Sequence, residues 1–326
     1  MPIVFDKEKA RADAQVIAAA WLRRSEWLPR WLPPEIQFHP VNVQKGSKLH
    51  ACFLFLSGYV SRSGQSANQA IGKASELTLK FPELVLPEKS LQPSLELWPE
   101  LNRLIAFSKQ DPKRVEGWVE NLGRIRNEFG SDPRNIFLDL NFDQTDKESI
   151  WAARNVLIDR IDGFYGIAHK IAQLLIPWFQ AVDWDYRQDE WQKTRLIPAV
   201  PVDHWLMRQT KQWAWVLEYG SDSRDHISRP ISDFLSRICL DDELSWYDFA
   251  QGCWHISARI CSQHRRLRFQ NTTRSRQWCV DHCPAFSFCQ GHVPANRAKT
   301  NRGSILWDSF EVHPEIELTP NLFGQP

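Results

Sequence analysis

Apolar residues recur at helical spacing along most of the chain, and the strict alternation of a half-buried strand is scarce. Over 6–30 the run AQVIAAAWL carries a periodic apolar face, and the proline-rich WLPRWLPPE ends it. Residues 48–60, with LHACFLFLSGYV, are apolar nearly all round, which predicts a buried helix. The polar turn SRSGQS (61–66) separates it from a further helical run, ANQAIGKASELTLKF. Proline-bearing connections fill 82–100, and helical pattern returns over 101–127. GSDPRN reads as a loop. DKESIWAARNVLIDRI then predicts a helix near 146–160 that DGFYG breaks. The next helix runs through IAHKIAQLLIPWF, with Pro177 expected to kink or end it. A helix is expected to start just after Asp203, and others at 229–240 and 244–261. The final segment EVHPEIELTPNLFGQP predicts a loosely ordered tail. The expected fold class is all-α.

Composition narrows the class. With 43% hydrophobic and 24% charged residues the chain has the make-up of an ordinary globular protein, not a disordered one. A net charge of +1 announces no nucleic-acid partner overall, so any such partner must be met by local charge. Residues 249–280 supply that: Arg259, Arg265, Arg266, Arg268, Arg274 and Arg276 occur there without any Asp or Glu. The alternative for this stretch is a solvated loop. The first residues, MPIVFDKEKARAD, are charged where a signal peptide is apolar, and no run approaches membrane-spanning length. A cytoplasmic, nucleoid-associated protein without a membrane partner is expected.

Four of the seven cysteines are bunched late, as Cys261, Cys279, Cys283 and Cys289, with the spacing C-x17-C-x3-C-x5-C. Thiolates gathered by one loop are what tetrahedral zinc or a [4Fe–4S] cluster needs, and the bunching argues against a disulfide framework. His264, His282 and His292 lie close enough in sequence to replace a ligand in a zinc site. Cys52, Cys239 and Cys253 sit in apolar segments and read as small core residues.

Three stretches, in order, carry a resemblance. FYGIAHKIA (164–172) is similar to the helix-hairpin-helix pattern LPGVGPKTA, with Gly166 at the first glycine, Ala168 at the second and Lys170 at the lysine. PVDHWLMRQ (201–209) resembles a PVDTHVxR stretch, which puts Asp203 at its aspartate. ISARIC, followed by CVDHCPAFSFC, resembles a closing cluster loop. Together they resemble the endonuclease III superfamily of DNA glycosylases over roughly 48–292. The resemblance departs at the second hairpin glycine, in the longer Lys170–Asp203 interval with WDYRQDEWQKT as an apparent insertion, and in the first two cysteine gaps.

The resemblance implies a two-lobed protein. Residues 48–175 would form a helical barrel ending in the hairpin; 1–47 and 176–300 would form a cluster-bearing lobe, followed by the 301–326 tail. It implies a monomer that binds double-stranded DNA and excises a damaged or modified base. Lys170 would be the nucleophile, attacking C1′ of the extruded nucleotide and forming a Schiff base, so abasic-site lyase activity follows. Asp203 would activate the amine or stabilise charge on the sugar. Gly166, Ala168 and His169 would meet a DNA phosphate, as would Arg208 and the loop residues Arg265, Arg266 and Arg268. Gln65 would fill the vacated stack. The four cysteines would hold [4Fe–4S], with zinc as the alternative. On their own residues alone, Lys170 reads as a solvated helix lysine, Asp203 as a helix N-cap and the hairpin as an ordinary αα corner.

Overall fold

The computed structural model describes residues 3–24, 34–61, 67–88, 98–106, 112–218, 224–261 and 272–289. These are mostly helical, and the sheet is a two-stranded antiparallel pair of β1 (Val4–Phe5) and β2 (Val216–Glu218). The sequence pattern gave no expectation of this pair, because two and three residues are too few to show a period. The helices are α1 (Lys7–Leu22), α2 (Pro34–Gln37), α3 (Lys48–Val60), α4 (Ala67–Lys80), α5 (Trp98–Leu101), α6 (Pro112–Glu128) and α7 (Lys147–Asp162). They continue as α8 (His169–Gln180), α9 (Gln188–Thr194), α10 (His204–Gln212), α11 (Arg224–Asp241), α12 (Trp246–His255) and α13 (Thr272–His282). No helix among the described residues is long and apolar enough to cross a membrane.

Two apolar cores organise the chain. The first gathers α3, α4, α6, α7, α8 and α9, from Ala51 to Ala199. α3 lies at its centre, with every residue from His50 to Val60 buried. Its aromatic, cysteine and glycine residues are only fair helix formers, at a few tenths to about 1 kcal/mol each. Burying each Phe or Leu returns roughly 2 kcal/mol, so packing, not propensity, holds this helix. Gly58 allows α8 to approach closely: a Cβ there would stand 2.6 Å from Leu175 Cδ2. The second core begins with Ala10, Ala14 and Ile17 of α1 and resumes at Val200, taking in α10, α11, α12 and the cysteine loop. α1 packs on α12, where a Cβ on Gly252 would lie 2.7 Å from Ile17 Cγ2.

Polar side chains join the two cores. Arg154 of α7 pairs with Asp233 of α11 at 2.8 Å, and Trp246 Nε1 on α12 donates to Gln180 Oε1 on α8 at 2.8 Å. Arg237 bridges Glu148 and Asp241 across the same α7–α11 seam.

Two prolines behave differently from their usual punctuation. α8 continues through Pro177 to Gln180: the proline removes one backbone bond, that to the Gln173 carbonyl, while its own carbonyl accepts from the Ala181 N–H at 3.0 Å. α11 starts at Arg224 and carries Pro230 inside it, a turn and a half before the expected start. In the helical stretch expected over 101–127, α5 passes into a π-helical turn over Asn102–Ala106 and α6 begins at Pro112, with residues 107–111 outside the described ones.

Candidate DNA-binding hairpin and cysteine loop

The turn between α7 and α8 is built by alternating burial. Phe164 and Ile167 point into the first core, while Tyr165, Gly166 and Ala168 face outward. Gly166 takes the left-handed conformation, φ +69°, which a residue with a Cβ rarely adopts. The turn is fastened from α6. Buried Asn121 accepts from the Tyr165 N–H at 2.8 Å and donates to the Tyr165 carbonyl at 3.0 Å. The Tyr165 ring covers Gly117 so closely that a Cβ there would fall 2.0 Å from it, and the Arg124 guanidinium lies 4.3 Å from the Phe164 ring centroid. Asn121→Ala removes both backbone partners of Tyr165 at once. It is expected to cost about 2 kcal/mol, read by urea denaturation, because an orphaned buried polar group costs roughly 1–3 kcal/mol.

α8 therefore begins at an exposed, rigid turn. Its N-cap, Ala168, supplies no side-chain cap, so the positive end of the helix is left to the medium. Lys170 is half-buried in the first turn and makes no hydrogen bond or ion pair among the described residues. His169 turns the other way. Its Nε2 lies 2.6 Å from Gln173 Nε2 and 3.9 Å from Asp233, and its pKa is lowered, by burial foremost and with Asp233 opposing.

Asp203 is the N-cap of α10, and its Oδ1 accepts from the Trp205 and Leu206 N–H groups, each at 2.9 Å. Arg208 lies half-buried further along α10. Nothing in the described contacts joins Lys170 and Asp203 directly. They are linked through α11: Ser232 Oγ meets both Gln173, three residues beyond Lys170, and the carbonyl of Val200, three residues before Asp203.

The four cysteines come into one neighbourhood from two elements. Cys261 follows the π-helical turn Ile256–Ile260 at the end of α12. Cys279 and Cys283 stand one turn apart, with the Cys283 N–H donating to the Cys279 carbonyl at 2.9 Å, and the Cys289 N–H donates to Ala285 at 3.0 Å. The Cys283 thiol is pushed well up, by burial first and then by Cys261, Cys289 and Cys279; burial and Cys289 push Cys279 up to about 11. Thiols that raise one another's pKa are close neighbours, and a bound cation reverses that penalty by deprotonating them. No group of three or more His, Cys, Asp or Glu among the described residues is arranged to hold a metal ion as it stands. The donor set fits in kind, four thiols near one another, and does not converge as it stands. His282 is engaged by Trp278, with Nδ1 3.0 Å from the Trp278 carbonyl and the two rings stacked. Cys52, Cys239 and Cys253 are fully buried core residues.

Gln65, Arg265, Arg266 and Arg268 lie outside the described residues, as do His264 and His292. The sequence reading missed Asn121, Gln173, Ser232, Asp233 and Arg154. Only Arg154 left a signal: it falls on the apolar stripe of Ile150, Ala153, Leu157 and Ile161, where a charge must find a buried partner. No protein-family model matches the chain, and no curated protein is significantly similar to it.

Proposed function

We propose that this protein is a two-lobed, all-α DNA glycosylase of the helix-hairpin-helix kind, with abasic-site lyase activity and a [4Fe–4S] loop. The observation that carries this reading is the α7–α8 turn: a left-handed glycine, a helix N-terminus without a side-chain cap, and a first-turn lysine with no hydrogen bond or ion pair among the described residues. Unpaired N–H groups and the helix dipole favour a DNA phosphate at the turn. Lys170 then faces the sugar. Its neutral amine attacks C1′ as the glycosidic bond breaks, and the base leaves with the bonding electrons and takes up a proton. The C1′–O4′ bond then opens, O4′ taking up a proton, to give the Schiff base, and loss of the proton at C2′ expels the 3′ phosphate by β-elimination. Asp203, held rigidly as an N-cap, takes the amine proton or stabilises the developing positive charge.

Cys261, Cys279, Cys283 and Cys289 would hold the cluster, which would clamp the end of α12 to α13 and so position a DNA-binding loop. Zinc bound by the same thiolates is the alternative, distinguished by a colourless protein with stoichiometric zinc. The partner is double-stranded DNA, bound by a monomer in the cytoplasm.

A second reading, a DNA-binding protein without turnover, is favoured by one observation. Asp203 Oδ1 is taken up by two N–H groups of α10, as in an ordinary helix N-cap, and no contact among the described residues joins it to Lys170. A duplex with one abasic site separates the two. Wild type is expected to cut the strand at that site, and Lys170→Ala to lose cutting by at least about 100-fold with binding kept, since nucleophile and general-base steps each contribute that order. Binding without cutting by both proteins would support the second reading.

A further inference from the structure

The segment that delivers Asp203 has no helix or sheet of its own, yet it is fixed. Four of its backbone polar groups, the Ile197 and Pro198 carbonyls and both groups of Val200, are taken by side chains from three helices. Gln180 Nε2 on α8 donates to the Ile197 carbonyl at 2.9 Å, and Arg154 Nε on α7 donates to the Pro198 carbonyl at 3.0 Å. On α11, Ser236 Oγ accepts from the Val200 N–H at 3.0 Å, and Ser232 Oγ donates to the Val200 carbonyl. A buried backbone that is not in secondary structure needs such partners, and here each partner is also a spacer of set length.

One spacer reaches the hairpin helix. Ser232 is 2% exposed and Gln173 is fully buried, and the two are hydrogen-bonded. With Gln173 Nε2 toward His169, two nitrogens face each other at 2.6 Å and the single Ser232 hydrogen is claimed by two carbonyl oxygens. Turning the amide over leaves the Ser232 hydrogen a single acceptor, while His169 Nδ1 stays without a partner among the described residues. His169 Nε2–H then donates to the Gln173 oxygen, the Gln173 amide donates to Ser232 Oγ, and Ser232 donates to the Val200 carbonyl. His169 Nε2 is then held as a donor, and the chain has one direction.

We propose that Gln173 and Ser232 are positioning residues that set the separation of Lys170 from Asp203, an inference that rests on the lyase reading above. Lys170 and Gln173 are neighbours on α8 at i, i+3. Val200 is three residues before Asp203, about 10 Å of extended chain at most. The two reacting groups belong to different cores, so their separation depends on the contacts between cores. Ser232 belongs to α11, which packs against both α7 and α8. The chain thus compensates for the long Lys170–Asp203 interval: the inserted residues include α9, whose Trp191 and Thr194 pack back into the first core, and the chain emerging from it is pinned to α8 again.

The test is single-turnover cutting of an abasic-site duplex by the full-length protein. Ser232→Ala is expected to lower the rate about tenfold, since a displacement on the order of 1 Å costs up to about 100-fold. The duplex Kd should stay within about twofold, because the hairpin turn itself is untouched. Ser232→Thr, which keeps the hydroxyl, should recover most of the rate, and Gln173→Met, which cuts the chain one link earlier, should reproduce the loss. Wild-type rates in Ser232→Ala and Gln173→Met would overturn the inference alone. So would a loss in Ser232→Ala that Ser232→Thr does not relieve and that follows thermal stability. A wild-type protein that binds this duplex without cutting it would overturn the lyase reading and this inference together.

Discussion

Arg154→Leu is expected to destabilise the protein by about 3 kcal/mol, because removing one partner of a buried ion pair typically costs 3–5 kcal/mol and Asp233 can partly rehydrate. Arg154 is fully buried, while the Asp233 side chain is 34% exposed, so the cost falls mainly on the arginine's own partners. Its guanidinium donates to the Pro198 carbonyl at 3.0 Å and to Asp233 at 2.8 Å, and it packs 4.3 Å from the Trp151 ring centroid. Burial lowers its pKa despite Asp233. Leucine replaces the volume of the stem and leaves the Pro198 carbonyl without a donor. Urea denaturation measures the loss. In a double-mutant cycle, Asp233→Leu added to Arg154→Leu should cost less than the sum of the two single changes, because the carboxylate has already lost its partner. An additive result would mean that the pair contributes nothing as a pair.

Glu35→Gln is expected to stabilise the protein at pH 8 and to have little effect near pH 4. Glu35 of α2 is buried against α12, where Gln251 Nε2 donates to it at 3.3 Å and Tyr247 is its other side-chain partner. Burial raises its pKa from 4.5 to about 7. The folded state therefore holds the proton more tightly than the unfolded chain. Below the unfolded value both states are protonated and burial of this carboxyl carries no ionisation penalty. As pH rises from 4.5 toward 7 the unfolded chain releases its proton first, stability falls, and above the folded pKa the penalty is complete. A shift of this size corresponds to roughly 3 kcal/mol. Glutamine keeps the acceptor oxygen but adds donors that need partners, so the net gain at pH 8 is expected to be about 2 kcal/mol. Chemical denaturation of both proteins at pH 4.5 and pH 8 reads it, and a pH-independent difference would contradict the buried-carboxyl account.

Strong local rules made parts of the fold legible. The α3 helix is apolar around its whole circumference, and only a core position tolerates that. Asp203 before HWLMRQ announced an N-cap, and an N-cap it is. Gly166 announced a turn and takes a positive φ. The three isolated cysteines announced core positions by their neighbours and occupy them. The parts that could not be read depend on distant residues. Asn121 and Tyr165 lie 44 positions apart, and Ser232 and Gln173 lie 59 apart, with no spacing rule to connect them. The β1–β2 pair joins the start of the chain to residue 218 and is too short to carry a period. The π turn at Asn102–Ala106, which packs against α4 and α6, is a detail that local propensity does not encode. The chemistry proposed for Lys170 was legible only through the hairpin register, since a lysine early in an amphipathic helix is ordinarily a solvated one.

The most direct test of the central proposal is borohydride trapping on a duplex that contains one abasic site, comparing wild type with Lys170→Ala. The substrate needs no choice of damaged base. A Schiff base between protein and sugar becomes a stable secondary amine on reduction and appears as a protein–DNA adduct. The account predicts an adduct with wild type and none with Lys170→Ala, while both bind the duplex. An equal adduct from both proteins would place the nucleophile elsewhere, and no adduct from wild type with binding intact would contradict lyase activity altogether.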